Sequence, residues 1–122
     1  PPRSTLFPYT TLFRSAIHPR LFLLLDNMGE LAQSLGIPLN VEGHTDTVPG
    51  SDLDNWRLSA LRAAQVRNYL VQAVGMNPTQ VSAEGYGQFH PVTDNDTEGR
   101  RMRNRRVELV FYKKDIKALE TL

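Results

Sequence analysis

A strand pattern, a helix pattern and a second strand pattern follow one another between residues 39 and 86, and nothing else in the chain narrows its fold as far. Leu39-Asn40-Val41-Glu42-Gly43 alternates apolar and polar residues, as a strand with one buried face does. A helix is expected next, with Asn55, or Asp54 before it, as N-cap; it runs to about Val74, with Gly75 as terminator and Pro78 beyond. Residues 81–86 read as another short strand. A strand, a helix of about five turns and a strand make a right-handed crossover, which places the two strands parallel in one sheet.

The flanking segments extend this unit. Across residues 20–35, Leu21, Leu24, Leu25, Met28, Leu31, Ala32 and Leu35 recur at three and four, the period of an amphipathic helix, and Gly36 and Pro38 stop it. Residues 85–103 form a long polar connection rich in Gly, Asp and Asn. Residues 106–113 alternate again, with Val107, Leu109 and Phe111 on one face, and residues 115–122 read as a frayed helix or tail. The expected fold is an α/β (α+β) sandwich, with helices packed on one face of a small mixed sheet. A chain of 122 residues buries one such core, not two.

The formal net charge of +1 leaves no global field that would draw nucleic acid or an anionic membrane. The absence of cysteine excludes disulfides and thiolate metal sites, and it fits several compartments equally. The longest apolar run, Leu21-Phe22-Leu23-Leu24-Leu25, falls far short of the roughly 20 residues of a membrane span, and no export signal is visible. Residues 1–15 are expected to be non-native, because TLFPYTTLFRS resembles the in-frame translation of a sequencing-library adapter. On that expectation the domain occupies residues 16–114, and whatever preceded Ala16 is missing.

Two charged residues stand out. On a helical wheel Arg62 falls in the middle of a stripe containing Leu58, Val66, Tyr69 and Ala73, where a core-facing apolar residue is expected. A guanidinium snorkelling at the rim of the core would account for it. However, Arg62 also lies within two turns of the helix N-terminus, where the dipole disfavours a cation. The facing loop, residues 44–54, carries Asp46 near its start, at the carboxyl end of a parallel strand, where open α/β sheets bind ligands.

The motif Asn55-x-x-Leu58-Ser59-x-x-Arg62-Ala63-x-x-Val66-x-x-x-Leu70 resembles the signature helix of the OmpA-like peptidoglycan-binding domains. As in that family, Val41-Glu42-Gly43-His44-Thr45-Asp46 precedes it. Gly85-Tyr86-Gly87, the loop at residues 91–95 and Asn104-Arg105-Arg106-Val107-Glu108 follow in the family's order. Within the family, the TVPGSDLDNW loop and the run from Phe89 to Leu109 look most like the periplasmic domain of MotB-type flagellar stator proteins. The family's first strand has no counterpart where residues 1–15 stand, so the sheet is expected to lack it and expose an edge.

The resemblance implies a βαβαβ-type wall anchor, not an enzyme, needing no cofactor or metal. It implies non-covalent recognition of the diaminopimelate residue of the peptidoglycan stem peptide, whose free end carries an ammonium and a carboxylate on one carbon. Asp46 would accept hydrogen bonds from the ammonium, and the planar fork of Arg62 would grip the carboxylate. Asn55 would orient the loop, contact the ligand or simply cap the helix. Leu58 would wall the pocket, and Thr47 and Arg105 would neighbour it, while Arg106 and Glu108 would alternate on a strand face. A stator-type protein would also be a homodimer, work beside a channel-forming subunit and sit in the periplasm tethered to the inner membrane. A porin-type or lipoprotein-type relative would sit at the outer membrane.

Other readings fit less well. Five arginines between Arg100 and Arg106 could contact phosphates, but no interleaved aromatics or recognition helix accompany them. Ser59, His44 and Asp46 could be imagined as a triad, yet no strained nucleophile turn surrounds Ser59. His44 and Asp46 offer a metal two ligands without a third. A structural domain that binds a protein partner and no ligand is the remaining alternative.

Overall fold

The computed structural model describes residues 3–8, 19–47 and 51–112. Its elements are β1 (Arg3–Pro8), α1 (Pro19–Leu35), β2 (Leu39–His44), α2 (Asp52–Tyr69), which runs on into a π-helical turn (Leu70–Val74), β3 (Val81–Gly85), α3 (Glu98–Asn104) and β4 (Arg106–Phe111). Among the described residues the sheet has four strands in the order β1-β4-β2-β3. β2 and β3 are parallel, Leu39 opposite Val81 and Gly43 opposite Gly85, as the crossover requires. β4 runs antiparallel to β2, with Glu42 opposite Glu108 and His44 opposite Arg106, which makes the sheet mixed.

β2, β3 and β4 turn Leu39, Val41, Val81, Val107 and Leu109 toward Leu25 and Ala32 of α1 and Ala63 and Val66 of α2, and these form one buried core with Leu70. The helices therefore lie on one face of the sheet, in the layered arrangement that the alternating strands imply. Polar bonds fix the layers where apolar contact alone would let them slide. The Tyr69 hydroxyl donates to Asp26 Oδ1 at 2.6 Å and ties α2 to α1. The Arg67 guanidinium donates to the carbonyls of Val81 and Pro78 and ties α2 to the start of β3.

α2 approaches β3 closely at one point. A Cβ on Gly85 would stand 2.5 Å from the Ala60 nitrogen and 2.7 Å from Ser59 Oγ, so only glycine lets the helix seat here. Gly75 ends the π turn in the left-handed conformation at φ 89° and returns its N–H to the Leu70 carbonyl, the terminator role expected of it.

Four expectations need correction. The first strand is present: Arg3–Pro8 pairs antiparallel with β4 from Arg3 opposite Phe111 to Pro8 opposite Arg106. Backbone groups alone can satisfy such a ladder, so a segment without a clear side-chain period can still fill an open edge. The cap of α2 is Ser51, whose Oγ accepts from the Asp54 amide at 3.2 Å, so the helix starts at Asp52 and the preceding loop is shorter. The polar connection contains α3, a short helix capped by Thr97 and laced by the Asp96–Arg100 and Glu98–Arg101 pairs. Finally, the π turn carries more residues per turn than an α-helix and moves the residues after Tyr69 off the expected wheel, leaving Ala73 exposed. The expected tail at residues 115–122 lies outside the described residues.

Candidate functional site

Asp46 stands two residues beyond β2, at the carboxyl end of a strand paired in parallel, and is 1% exposed. The strand end is pinned to the segment after β3 by two bonds: the Tyr86 amide donates to the Gly43 carbonyl at 3.0 Å, and the Thr45 amide to the Gly87 carbonyl at 2.8 Å. A buried carboxylate needs charge-assisted partners. Arg105 supplies one, its Nη1 donating to Asp46 Oδ2 at 2.7 Å.

Arg105 itself is positioned by α3, where its amide closes the last turn on the Arg101 carbonyl. Its second arm, Nη2, donates to Glu98 Oε1, so one guanidinium bridges two carboxylates. Burial draws the Arg105 pKa down, but the bonded Glu98 and the charge of Asp46 outweigh it and raise the net value. Its bond and charge hold Glu98 below the usual carboxylate range. Arg101 backs Glu98 from the other side at 3.2 Å.

The sheet-facing stripe of α2 is polar at its N-terminal end. Asn55 and Ser59 are buried in line with Ala63 and Val66. Asn55 Nδ2 donates to Gln88 Oε1 at 2.9 Å and reaches the Asp46 carbonyl at 3.5 Å, joining helix, strand end and the loop after β3. Ser59 Oγ accepts from the Gly87 amide at 2.9 Å and donates to the Trp56 carbonyl at 2.7 Å. Both side chains act as clasps that hold the loops around Asp46, and capping, left open for Asn55, is the work of Ser51. Ser59 is a structural hydroxyl bonded to backbone, not a nucleophile poised on His44.

Arg62 falls about 20° from Asn55 and about 40° from Val66 on the helical wheel, inside the buried stripe, and is half-buried there. The stripe differs from the expected one in that Leu58 is 39% exposed at its margin. Thr47 is exposed just beyond Asp46. The structure thus unites Asp46, Asn55 and Arg105 through direct bonds, with Arg62 on the same helix face two turns on from Asn55.

Three positions escaped the sequence reading. Gln88 is a second partner of Asn55 across 33 residues, which no local spacing reveals, and Glu98 is a second partner of Arg105 seven residues away, across a helix that shows no apolar period. Asn104 is fully buried, accepting from the amides of Val92 and Thr93 and donating to the Thr93 carbonyl and Asn95 Oδ1. Its place in the Asn104-Arg105-Arg106 motif is the signal that could have marked it.

His44 belongs to a different cluster, on the sheet face away from the helices. Its ring stacks on Tyr86 at 5.3 Å, and its Nε2 lies 3.3 Å from Glu108 and 3.9 Å from Glu42. Arg106 pairs with Glu108, consistent with the expected alternation. Burial, then the charges of Arg106 and His90, push the His44 pKa down to about 3, so the imidazole is neutral near pH 7. Among the described residues no group of three or more His, Asp or Glu side chains is arranged to hold a metal ion, here or at Asp46.

A sequence model of the OmpA family matches residues 15–105. The chain belongs to the OmpA family. Its fold recurs in the C-terminal domain of MotB from Helicobacter pylori, at a TM-score of 0.79 and 30% identity, over 96% of this chain and 92% of that one. It recurs as well in the cell wall anchor of the T6SS from Pseudomonas aeruginosa, at 0.76 and 29% identity, over 89% and 80%. Outer membrane porin F of Pseudomonas fluorescens is 40% identical over 78% of this chain, which spans 29% of that protein. The chain spans less than half the length of the first curated relatives it matches. As an OmpA-family domain it is a peptidoglycan-binding module of a non-enzymatic family.

Proposed function

We propose that this OmpA-family domain grips the diaminopimelate residue of the stem peptide between Asp46 and Arg62, and so anchors a larger protein to the cell wall. The observation that carries the reading is the buried carboxylate of Asp46, held at a parallel strand end by a guanidinium that Glu98 also holds. An incoming ammonium takes the place of Arg105 Nη1 on Asp46, while Glu98 keeps Arg105 in place. One charge-assisted bond is exchanged for another, so Asp46 never stands buried without a cation. The carboxylate on the same carbon then meets the fork of Arg62. Asn55 and Gln88 fix the floor of the site, Arg105 acts as resident counter-ion, and Thr47 lies at the rim.

Likeness to the MotB domain over nearly its whole length supports a flagellar stator subunit, a periplasmic homodimer tethered to the inner membrane beside a channel-forming partner. The higher identity to porin F favours, as second reading, an outer-membrane protein with the same anchor.

Co-sedimentation with purified diaminopimelate-type sacculi tests the anchor. The protein is expected to pellet with them, and Asp46→Ala, Arg62→Ala or excess free diaminopimelate to release it. Retention of both folded variants on the sacculi would contradict the two-residue grip.

A further inference from the structure

Trp56 and Phe89 form an exposed aromatic pair whose position the core does not explain. Their ring centroids are 5.9 Å apart with planes inclined at 47°, yet Trp56 is 48% exposed and Phe89 52%. Each ring directly follows a residue that builds the floor of the site: Trp56 follows Asn55, and Phe89 follows Gln88, the two joined at 2.9 Å. The backbone on both sides is stitched down. Ser59 Oγ binds the Trp56 carbonyl and the Gly87 amide, the Phe89 amide reaches the Tyr86 carbonyl, and a Cβ on Gly87 would stand 3.6 Å from both the Trp56 α-carbon and the Phe89 ring. The backbone that carries the two rings is therefore fixed beside residues of the Asp46 site, while the rings themselves stand half in water.

We infer that Trp56 and Phe89 form a sugar-stacking lip that receives a pyranose ring of the glycan strand to which the bound stem peptide is attached. The inference rests on the Asp46–Arg62 reading and extends it. A stem peptide held at Asp46 is joined to the glycan through a short run of residues, which tethers a sugar ring within reach of the rim of the site. The axial C–H face of a pyranose is apolar and weakly positive and packs on the negative face of an aromatic ring, while its equatorial hydroxyls stay in water. The rings are side by side and half in solvent, which suits a ligand with one dry face and one wet edge.

The test compares, by calorimetry on the full chain, a disaccharide-tetrapeptide with the same tetrapeptide after amidase removal of the sugars. Wild type is expected to bind the sugar-bearing ligand roughly 3- to 10-fold more tightly. Phe89→Ala and Trp56→Ala should each shrink that margin and together erase it, with affinity for the sugar-free tetrapeptide unchanged. Equal affinity of wild type for both ligands overturns the lip and leaves the Asp46 grip standing. Equal loss of both ligands in the Phe89→Ala variant, which cuts no bond of the site, overturns it too, placing the peptide on the ring instead of the sugar. Binding of neither ligand by wild type overturns the grip and the lip together.

Discussion

Asp46 and Arg105, 59 residues apart in sequence, meet at 2.7 Å with the carboxylate sealed from solvent and the guanidinium about a quarter exposed. Removing the cation alone leaves a buried charge without this partner. Arg105→Ala is therefore expected to destabilise the fold by roughly 1–3 kcal/mol, below the range for a fully buried pair because Arg105 is partly hydrated. Asp46→Asn in the same background should recover part of that loss. Urea denaturation of the two variants checks it; an unchanged midpoint for Arg105→Ala would show that the pair contributes nothing.

The seat of α2 on β3 makes a sharper prediction. Gly85→Ala would put a methyl group 2.5 Å from the Ala60 nitrogen and 2.8 Å from its α-carbon, and helix backbone cannot yield as a side-chain tip does. A loss of about 2 kcal/mol or more is expected, read as a fall in Tm of several degrees. Because Ser59 and Gly87 lie beside the contact, ligand binding should weaken with it. A variant as stable as wild type would mean that α2 sits farther from the sheet.

Acid should weaken the fold through His44. The imidazole stays neutral in the folded protein down to about pH 3, whereas in the unfolded chain it takes a proton near its ordinary value of about 6.5. The unfolded state binds more protons between those values, so stability falls as pH drops through that window. Glu42 opposes this: burial, helped by Glu108 and Glu84 and resisted by the Asn40 bond, raises its pKa, so above its ordinary range the folded state holds its proton better. His44→Gln should flatten the decline between about pH 6.5 and about pH 5, where unfolded glutamate is largely ionised. Urea unfolding at both pH values measures it, and an unaltered slope in the variant would contradict the assignment.

β1 should matter to the sheet although its residues carry little pattern. Truncation through Pro8 strips six paired positions from β4 and leaves that strand at an open edge. The truncated chain is expected to melt earlier and to aggregate on warming, seen by light scattering. Equal Tm and scattering would show the edge strand to be dispensable. We propose that residues 1–15 are nonetheless foreign to the natural protein; a genomic reading frame continuous through them would contradict that origin.

The crossover of β2, α2 and β3 was legible because its signals are local: alternation in Leu39 to Gly43, a helical period, and a glycine stop at Gly75. Asp46 and Arg62 were legible because each breaks the local pattern, an acid at a strand end and a cation on a core-facing stripe. What stayed hidden depends on distant partners. Asn55 reads as a cap from its neighbours, and only the folded chain shows its amide meeting Gln88, 33 residues away. Ser51, the actual cap, is separated from the obvious helix pattern by a mostly polar first turn. β1 was missed because an edge ladder needs only backbone groups, and α3 because seven residues held by charge pairs show no apolar period.

Titration of the chain with free meso-diaminopimelate, followed by calorimetry, tests the central claim most directly. Saturable binding is expected, weakened at least about tenfold by Asp46→Asn and by Arg62→Lys, the loss of one charge-assisted bond or of the two-point fork. Both variants should keep the wild-type far-ultraviolet circular dichroism. Undiminished binding by either folded variant, or no binding by wild type, would contradict the assignment of Asp46 and Arg62 as the two halves of the grip.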